Sequence, residues 1–366
     1  MILHTDCRHF RGDVPCKPHK LYGVHCDGCE HYDPAPQRIL IIKLGAIGDV
    51  IRTTPLLTPL RKAYPNAVIY WLTHSPEVLP ASVDHKLTLR PETLLMLEET
   101  SFDYAINLDK EREACALLNR VDAKVKKGFA LKDGKCAPLD AAAEHKFNTG
   151  LFDDLSRSNT KSYLVEMFDI AGFTFNGEKY VLENSEAGKR QWKIDKSKPV
   201  TGLNTGCGGR WTSRLWPEER WRELALQLLA SGHEVILLGG EQEHEKNTRL
   251  AAATGATYFG HFPLKTFIDL IGQCDSVVTQ VTMGMHLTLG LGKRLVLLNN
   301  IFNRHEFELY GNGEIIEPST GCECYFAASC KREAPERAAG GEHHCMIDIS
   351  VGRVADAVLA RQAKAV

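Results

Sequence analysis

The chain has 366 residues, 43% of them hydrophobic, and a formal net charge of -2, a size that allows two ordinary domains with proper cores. That charge balance argues against a nucleic-acid partner, and no apolar run approaches the roughly 20 residues a membrane helix needs. The opening residues MILHTDCRHFRGD hold no signal-peptide core, so a cytoplasmic location is expected, and the twelve cysteines read as metal ligands or buried thiols rather than disulfides.

Residues 1–36 read as a separate unit, poor in aliphatic side chains. They carry Cys7, Cys16, Cys26 and Cys29, a close pair with two farther thiols, which can surround a tetrahedral ion. His19, His25 and His31 are alternative ligands. So few apolar residues cannot build a core, and a bound metal would supply the missing stability. Structural zinc is the expectation, an iron–sulfur cluster the alternative, and free thiols on a flexible arm the bland reading.

Residues 37–185 alternate apolar strands with helical patterns. Strands are expected at 38–43, 67–72, 104–108 and 123–128. The first (Ile39, Leu40, Ile41, Ile42, Leu44) is short and apolar throughout, like a parallel strand covered on both faces. It leads through Gly45-Ala46-Ile47-Gly48 to a helix opening at Asp49. An acid at that carboxyl edge of a sheet can take a proton from a hydroxyl, or it can simply cap the helix. The glycines do not match a dinucleotide fingerprint. Weak periodicity over 131–158 predicts a long loop, and 163–171 an amphipathic helix ending at Gly172.

A polar stretch over 183–199 reads as a linker. In the second domain, 199–349, strands are expected at 200–203, 234–238, 276–279 and 294–298, with helices at 217–230, 242–253, 264–272 and 283–291. A last helix is expected at 351–364, within a terminal segment 350–366. Two such series predict an α/β protein with two open parallel sheets.

Several patterns in the second series suit an anionic ligand. The small residues of Asn204-Thr205-Gly206-Cys207-Gly208-Gly209 let backbone amides approach an anion, and Arg210 and Arg214 add guanidinium groups for a diphosphate. A glycine-rich turn with solvated arginines is the bland alternative. Glu241, Glu243 and Glu245 follow Gly239-Gly240 at a strand end and are candidates for ribose hydroxyls. Thr282, Met283, Gly284 and His286 open a helix whose amides can hold phosphate, although His286 alone reads as a core residue. Asn300 lies in a polar connection suited to sugar hydroxyls or to capping, and Gln280 can offer a polar contact. Cys322, Cys324, Cys330 and Cys345 form a second candidate metal set. Cys115, Cys136, Cys207 and Cys274 read as scattered structural thiols. There is no DxD pair.

Four stretches, KLGAIGDVIRTTPLL (43–57), NTGCGGRWTSRLWPEERWREL (204–224), VILLGGEQE (235–243) and MHLTLGLGKRLVLL (285–298), occur in an order that resembles glycosyltransferase family 9, the bacterial heptosyltransferases of lipopolysaccharide core assembly. The resemblance covers roughly 37–360. It implies the GT-B architecture, two Rossmann-like parallel-sheet domains facing a cleft, with a final helix crossing back to the first. It implies an inverting, metal-independent glycosyltransferase in which Asp49 is the base and Arg214 stabilises the leaving diphosphate. The acceptor would meet Lys43, Gly48 and Arg52, with Arg61 and Lys62 on a basic face toward a phosphorylated, membrane-held acceptor. The expected donor is a nucleoside-diphosphate-sugar, with an ADP-sugar favoured. The expected acceptor is a cell-envelope glycan or glycolipid at the inner-membrane surface. Val281-Thr282-Met283 stands where many members carry Asp-Thr-Gly. A non-catalytic nucleotide-sugar or glycan-binding protein on a decayed transferase fold, or a GT-B-like sugar-nucleotide epimerase, are the rival readings.

Overall fold

The computed structural model describes residues 2–330 and 344–360. The chain divides into two compact units. One holds the N-terminal stretch to Ala46 with Thr54–Phe147 and Met167–Glu178, and the other holds Ile47–Thr53, Asn148–Glu166 and the chain from Lys179 onward.

The first unit carries a six-stranded sheet. Its strands are β1 (Arg38–Ile42), β2 (Val68–Leu72), β3 (His85–Leu87), β4 (Ser101–Asn107), β5 (Asp122–Lys132) and β6 (Lys135–Pro138), in the order β3-β2-β1-β4-β5-β6. All neighbours are parallel except the β5–β6 hairpin. β1 is buried from Ile39 to Ile42, as its unbroken apolar run requires of a central parallel strand. The expected loop over 131–158 is corrected: β5 continues to Lys132, turns into β6, and is followed by helices Ala141–Thr149 and Asp153–Ser158. Asp133 and Gly134 make that turn with positive φ, the usual chemistry of a two-residue hairpin. Helices Pro91–Glu98 and Arg112–Arg120 are among the helical elements expected between the strands, with bounds the sequence had not given.

The N-terminal segment belongs to this unit. Arg8 joins it to the sheet, pairing with Asp33 at 3.0 Å and with Asp84 at 2.6 Å. Arg61 pairs with the same Asp84 at 2.8 Å. It is therefore a strut of the fold and does not form the open basic face expected of it.

The second unit carries a five-stranded, all-parallel sheet in the order β11-β10-β9-β7-β8. Its strands are β7 (Val200–Asn204), β8 (Glu234–Leu238), β9 (Ser276–Gln280), β10 (Arg294–Leu298) and β11 (Gly313–Ile316). Helices Glu218–Ala230, His244–Thr254, Leu264–Gly272 and Met283–Gly290 lie close to their expected bounds. Trp216 and Trp221 meet edge to face at 5.0 Å within the core beside β7, a favoured aromatic geometry. The final helix, Val351–Leu359, packs on Glu218–Ala230 within this unit. The rest of the expected helix, 361–364, lies outside the described residues. Among the described residues no helix is long and apolar enough to cross a membrane.

Candidate functional site

The strand order of the second sheet locates its crevice. β7 is flanked by β8 on one side and β9 on the other, so the chain reverses direction of growth at β7. Open parallel sheets bind ligands beyond the carboxyl ends of strands at such a switch point. Asn204 ends β7 there. Its Nδ2 donates to Thr279 Oγ1 at 2.8 Å and Thr282 Oγ1 at 3.2 Å. Gln280 closes the base of the crevice: its side-chain nitrogen donates to Asn204 O and its oxygen accepts from the Trp216 amide, both at 3.2 Å. Thr282 also caps helix Met283–Gly290 by accepting from the Gly284 amide at 3.1 Å, so its hydroxyl serves the local fold first.

The loop after β7 needs its glycines. A Cβ on Gly206 would stand 1.9 Å from the Glu243 carboxylate, and Gly208 has φ +72, a left-handed conformation that favours glycine. Glu243 is held over the loop by accepting from the Gly240 amide at 2.9 Å. Of the three candidate acids the structure therefore brings Glu243 to the loop, and leaves Glu241 and Glu245 exposed. Thr205 is buried, donating to Asn247 Oδ1 at 2.6 Å. Gly209 and Arg210 are exposed, and Arg210 lies over Trp211, 5.8 Å from its ring centre.

Arg214 differs from Arg210. Its guanidinium is partly buried and donates to two carbonyls, Val281 O and Cys207 O (the latter at 3.2 Å). Its Nε is buried with no hydrogen-bond partner among the described residues. Burial lowers its pKa, with the Cys207 thiol pulling the other way. Lys246, which the sequence reading missed, stands at the same loop with Nζ donating to Thr205 O at 2.7 Å, and burial lowers its pKa too. Its signal was a cation in the first turn of a helix that follows a strand end. Two desolvated cations beside a nest of small residues make a site for an anion.

The second group of residues is centred on the same helix. Segment Ile47–Thr53, from the β1 connection, packs within the second unit against Met283–Gly290. The closest approach is at Gly48, where an added Cβ would sit 2.5 Å from the His286 ring. Asp49 lies inside helix Ile47–Ile51 and does not stand at its cap. Its Oδ1 meets Arg52 at 2.8 Å, and the Asp49 side chain is 34% exposed against 14% for Arg52. The acid is thus the member of the pair that can meet a solute. Arg52 lies over the Tyr163 ring, 3.3 Å from its centroid. Burial would lower the Arg52 pKa, but Asp49, Tyr163 and Glu306 outweigh it and raise the value. Arg52 is a buried brace for Asp49, which corrects its expected place at the acceptor. Lys43 is likewise corrected: it is buried and paired with Asp109 at 3.0 Å, and Asp109 also accepts from the Leu44 amide.

His286 was expected at the nucleotide-sugar, yet it is buried, with Nδ1 3.3 Å from the Tyr180 hydroxyl. A space beside it, bounded by Arg52, Tyr163 and Glu306, is about 10 Å³, room for one water at most. It seats Gly48. Burial, then Arg52, lower its pKa to about 3, against a smaller opposing pull from Asp49. The folded chain therefore refuses a proton that the unfolded chain accepts below about pH 6.5. Stability from this group is complete above that pH and is lost as pH falls toward 3. Between pH 7 and pH 5 the loss should be about 2 kcal/mol, measured by denaturant unfolding at both values, and His286→Gln should flatten that slope.

Asn300 has a buried Oδ1 with no hydrogen-bond partner among the described residues. Its Nδ2 donates to Ser213 O at 2.8 Å and to Cys345 Sγ at 3.2 Å, so it ties the loop before Trp216 to the second thiol set. In that set the thiols meet in pairs, Cys322 with Cys345 at 3.3 Å and Cys324 with Cys330 at 3.7 Å. Cys322 is raised and Cys345 lowered because one S–H donates to the other sulfur. Among the described residues no group of three or more His, Cys, Asp or Glu already stands in metal-holding geometry. Cys115 and Cys136 hydrogen-bond to each other, and burial pushes the Cys115 thiol up to about 12.

The family described as Glycosyltransferase family 9 (heptosyltransferase) matches residues 95–330. Lipopolysaccharide heptosyltransferase 2 of Escherichia coli is 29% identical over 115 residues, 30% of this chain and 33% of that protein. The chain thus aligns with only about a third of that relative's length. Lipopolysaccharide heptosyltransferase 1 of another Escherichia coli strain is 25% identical over 289 residues, 70% of this chain and 83% of that protein. The structure of the E. coli ADP-heptose lps heptosyltransferase II superposes with a TM-score of 0.65 at 20% identity, covering 90% of this chain and all of that one.

Proposed function

The chain belongs to glycosyltransferase family 9, and on that premise we propose that it is an inverting glycosyltransferase moving a sugar, heptose foremost, from an ADP-sugar to a lipopolysaccharide-core acceptor. The observation that carries the reading is Arg214: a desolvated guanidinium with an orphan Nε, beside Lys246 and the loop Asn204-Thr205-Gly206-Cys207-Gly208-Gly209. A buried cation with no carboxylate partner among the described residues suits a ligand that brings its own negative charge. The relatives support the sugar and acceptor, since both curated proteins are named lipopolysaccharide heptosyltransferases and the superposed one is titled for ADP-heptose.

In this reading Asp49 accepts the proton of the acceptor hydroxyl as its oxygen attacks the anomeric carbon. Arg52 keeps the carboxylate aimed and His286 keeps its helix seated. The bond to the diphosphate breaks on the opposite face, and Arg214, Lys246 and the loop amides meet the growing charge. Glu243, Thr282, Met283 and Gly284 frame the donor, with Arg210 at the mouth. Side-chain cations do this work, so the proposed transfer is metal-independent. Such chemistry would proceed on the cytoplasmic side, where a peripheral enzyme meets a membrane-held acceptor.

The test is a donor panel. ADP-heptose should raise the melting temperature more than UDP- or GDP-sugars, and transfer to heptose-deficient core lipid should persist in EDTA. Binding without transfer would leave the decayed-transferase reading, and conversion of donor without acceptor would leave the epimerase.

We further infer that Cys322, Cys324, Cys330 and Cys345 hold a structural zinc. Bonds of ~2.3 Å place tetrahedral thiolates ~3.8 Å apart, close to the two thiol–thiol distances of 3.3 and 3.7 Å. Small side-chain rotations would join the pairs, and Asn300 would donate to Cys345 as an outer-shell partner.

A further inference from the structure

We propose that the N-terminal segment binds an iron–sulfur cluster through Cys7, Cys16, Cys26 and Cys29. The four thiols line one cavity of about 370 Å³, open to solvent and bounded by residues of this segment alone. Over residues 2–36 only Pro18 and Ala35 are buried, while Leu3, Leu21 and Tyr22 are more than half exposed. The segment therefore wraps a space where a domain would have a core. Chains this short need a disulfide, metal or other staple to hold a shape, and all four cysteines are free thiols.

The chemistry of the lining narrows the occupant. The neighbouring histidines are engaged with one another and with tyrosines: His4 stacks on Tyr32 at 4.3 Å and His31 on Tyr22 at 4.7 Å. His19 is held by the Val24 carbonyl at 2.9 Å and lies edge-on to His25. That leaves His9 and the four thiols, and four thiols are a ligand set that both zinc and iron–sulfur clusters accept. Size decides between them. One zinc draws its sulfurs to ~3.8 Å from each other, whereas among the described residues Cys7, Cys16, Cys26 and Cys29 share no thiol–thiol hydrogen bond and do not stand gathered around a single-ion site, lining instead a cavity of about 370 Å³. The second thiol set offers the contrast within the same chain, with its sulfurs already in contact at 3.3 and 3.7 Å. A polynuclear cluster of the [4Fe–4S] type, one cysteine to each iron, fills the wider space. This assignment stands independently of the glycosyl-transfer reading.

The experiment is elemental and sulfide analysis of full-length protein purified without oxygen, with visible spectra before and after dithionite. The expected result is a brown protein with about four irons and four acid-labile sulfides per chain, whose visible absorption dithionite bleaches. The Cys26→Ser/Cys29→Ser double variant should lose iron, sulfide and colour while retaining zinc. Cys322→Ser/Cys345→Ser should lose zinc and retain the colour. Zinc without sulfide at the Cys26–Cys29 site would overturn the proposal. So would iron that survives Cys26→Ser/Cys29→Ser, or failure of the intact chain to take up a cluster on reconstitution with ferrous iron and sulfide. Should the N-terminal variant be insoluble, alkylation protection of Cys26 and Cys29 in the intact protein, present with iron and sulfide and lost on their removal, gives the same answer.

Discussion

Asp49→Asn should cut sugar transfer by about 10²- to 10⁴-fold, the usual worth of a general base, with donor affinity nearly unchanged. The substitution keeps the shape of the side chain and its hydrogen bond to Arg52, at 2.8 Å in the wild type, while removing the proton acceptor. Asp49→Ala is a poorer probe, because it leaves the buried Arg52 without its carboxylate, and breaking such a pair costs about 3–5 kcal/mol when both members are fully buried. Asp49 is one-third exposed, so the cost here should fall below that range. Initial rates with saturating donor, alongside isothermal titration of ADP, separate the effects. A variant that retains more than a tenth of wild-type kcat would remove Asp49 from the chemistry and leave it as a brace for Arg52.

Arg214→Ala should lower kcat by about 10²- to 10³-fold, comparable to removing one preorganised donor from a developing anion. Arg214→Lys should recover little of it. An ammonium cannot reach both the Val281 and Cys207 carbonyls and still present donors to a ligand, as the forked guanidinium can. The free protein should not be weakened by Arg214→Ala, because its Nε has no partner among the described residues and burial already disfavours the cation. The melting temperature without ligand should stay the same or rise, while the stabilisation by ADP should shrink. A variant that loses stability and keeps its response to ADP would mark Arg214 as a structural residue.

Much of the second sheet was legible because buried parallel strands are continuous apolar runs: EVILL and RLVLL declare themselves without help from partners. β5 was harder. Its sequence DAKVKKGFALK mixes lysines with apolar residues and is only partly buried, so its second half looked like the start of a loop until the hairpin with β6 was seen. Asp49 was readable from its place after β1, but its partners were not. Arg52 read as an acceptor contact, and only tertiary packing places it over Tyr163. The ties of Asn300 were not readable, because amides that suit sugar hydroxyls also suit backbone carbonyls. Lys246 and Tyr180 carry no motif, since their roles come from neighbours far along the chain.

Segment Ile47–Thr53 is coded within the first βαβ series yet packs with the second unit. The polypeptide cannot therefore be cut at Lys179 into two self-sufficient halves. A fragment starting there would lack Gly48 and Asp49 and would leave the face of Met283–Gly290 bearing His286 bare. During synthesis that short helix emerges long before the surface that receives it. Closure of so distant a pairing is entropically slow, and the nascent chain must carry an exposed Val50 and Ile51, both buried in the finished fold, until nearly all of the remainder has been made. Such a chain should depend on holding chaperones during biogenesis more than its modest domain sizes suggest.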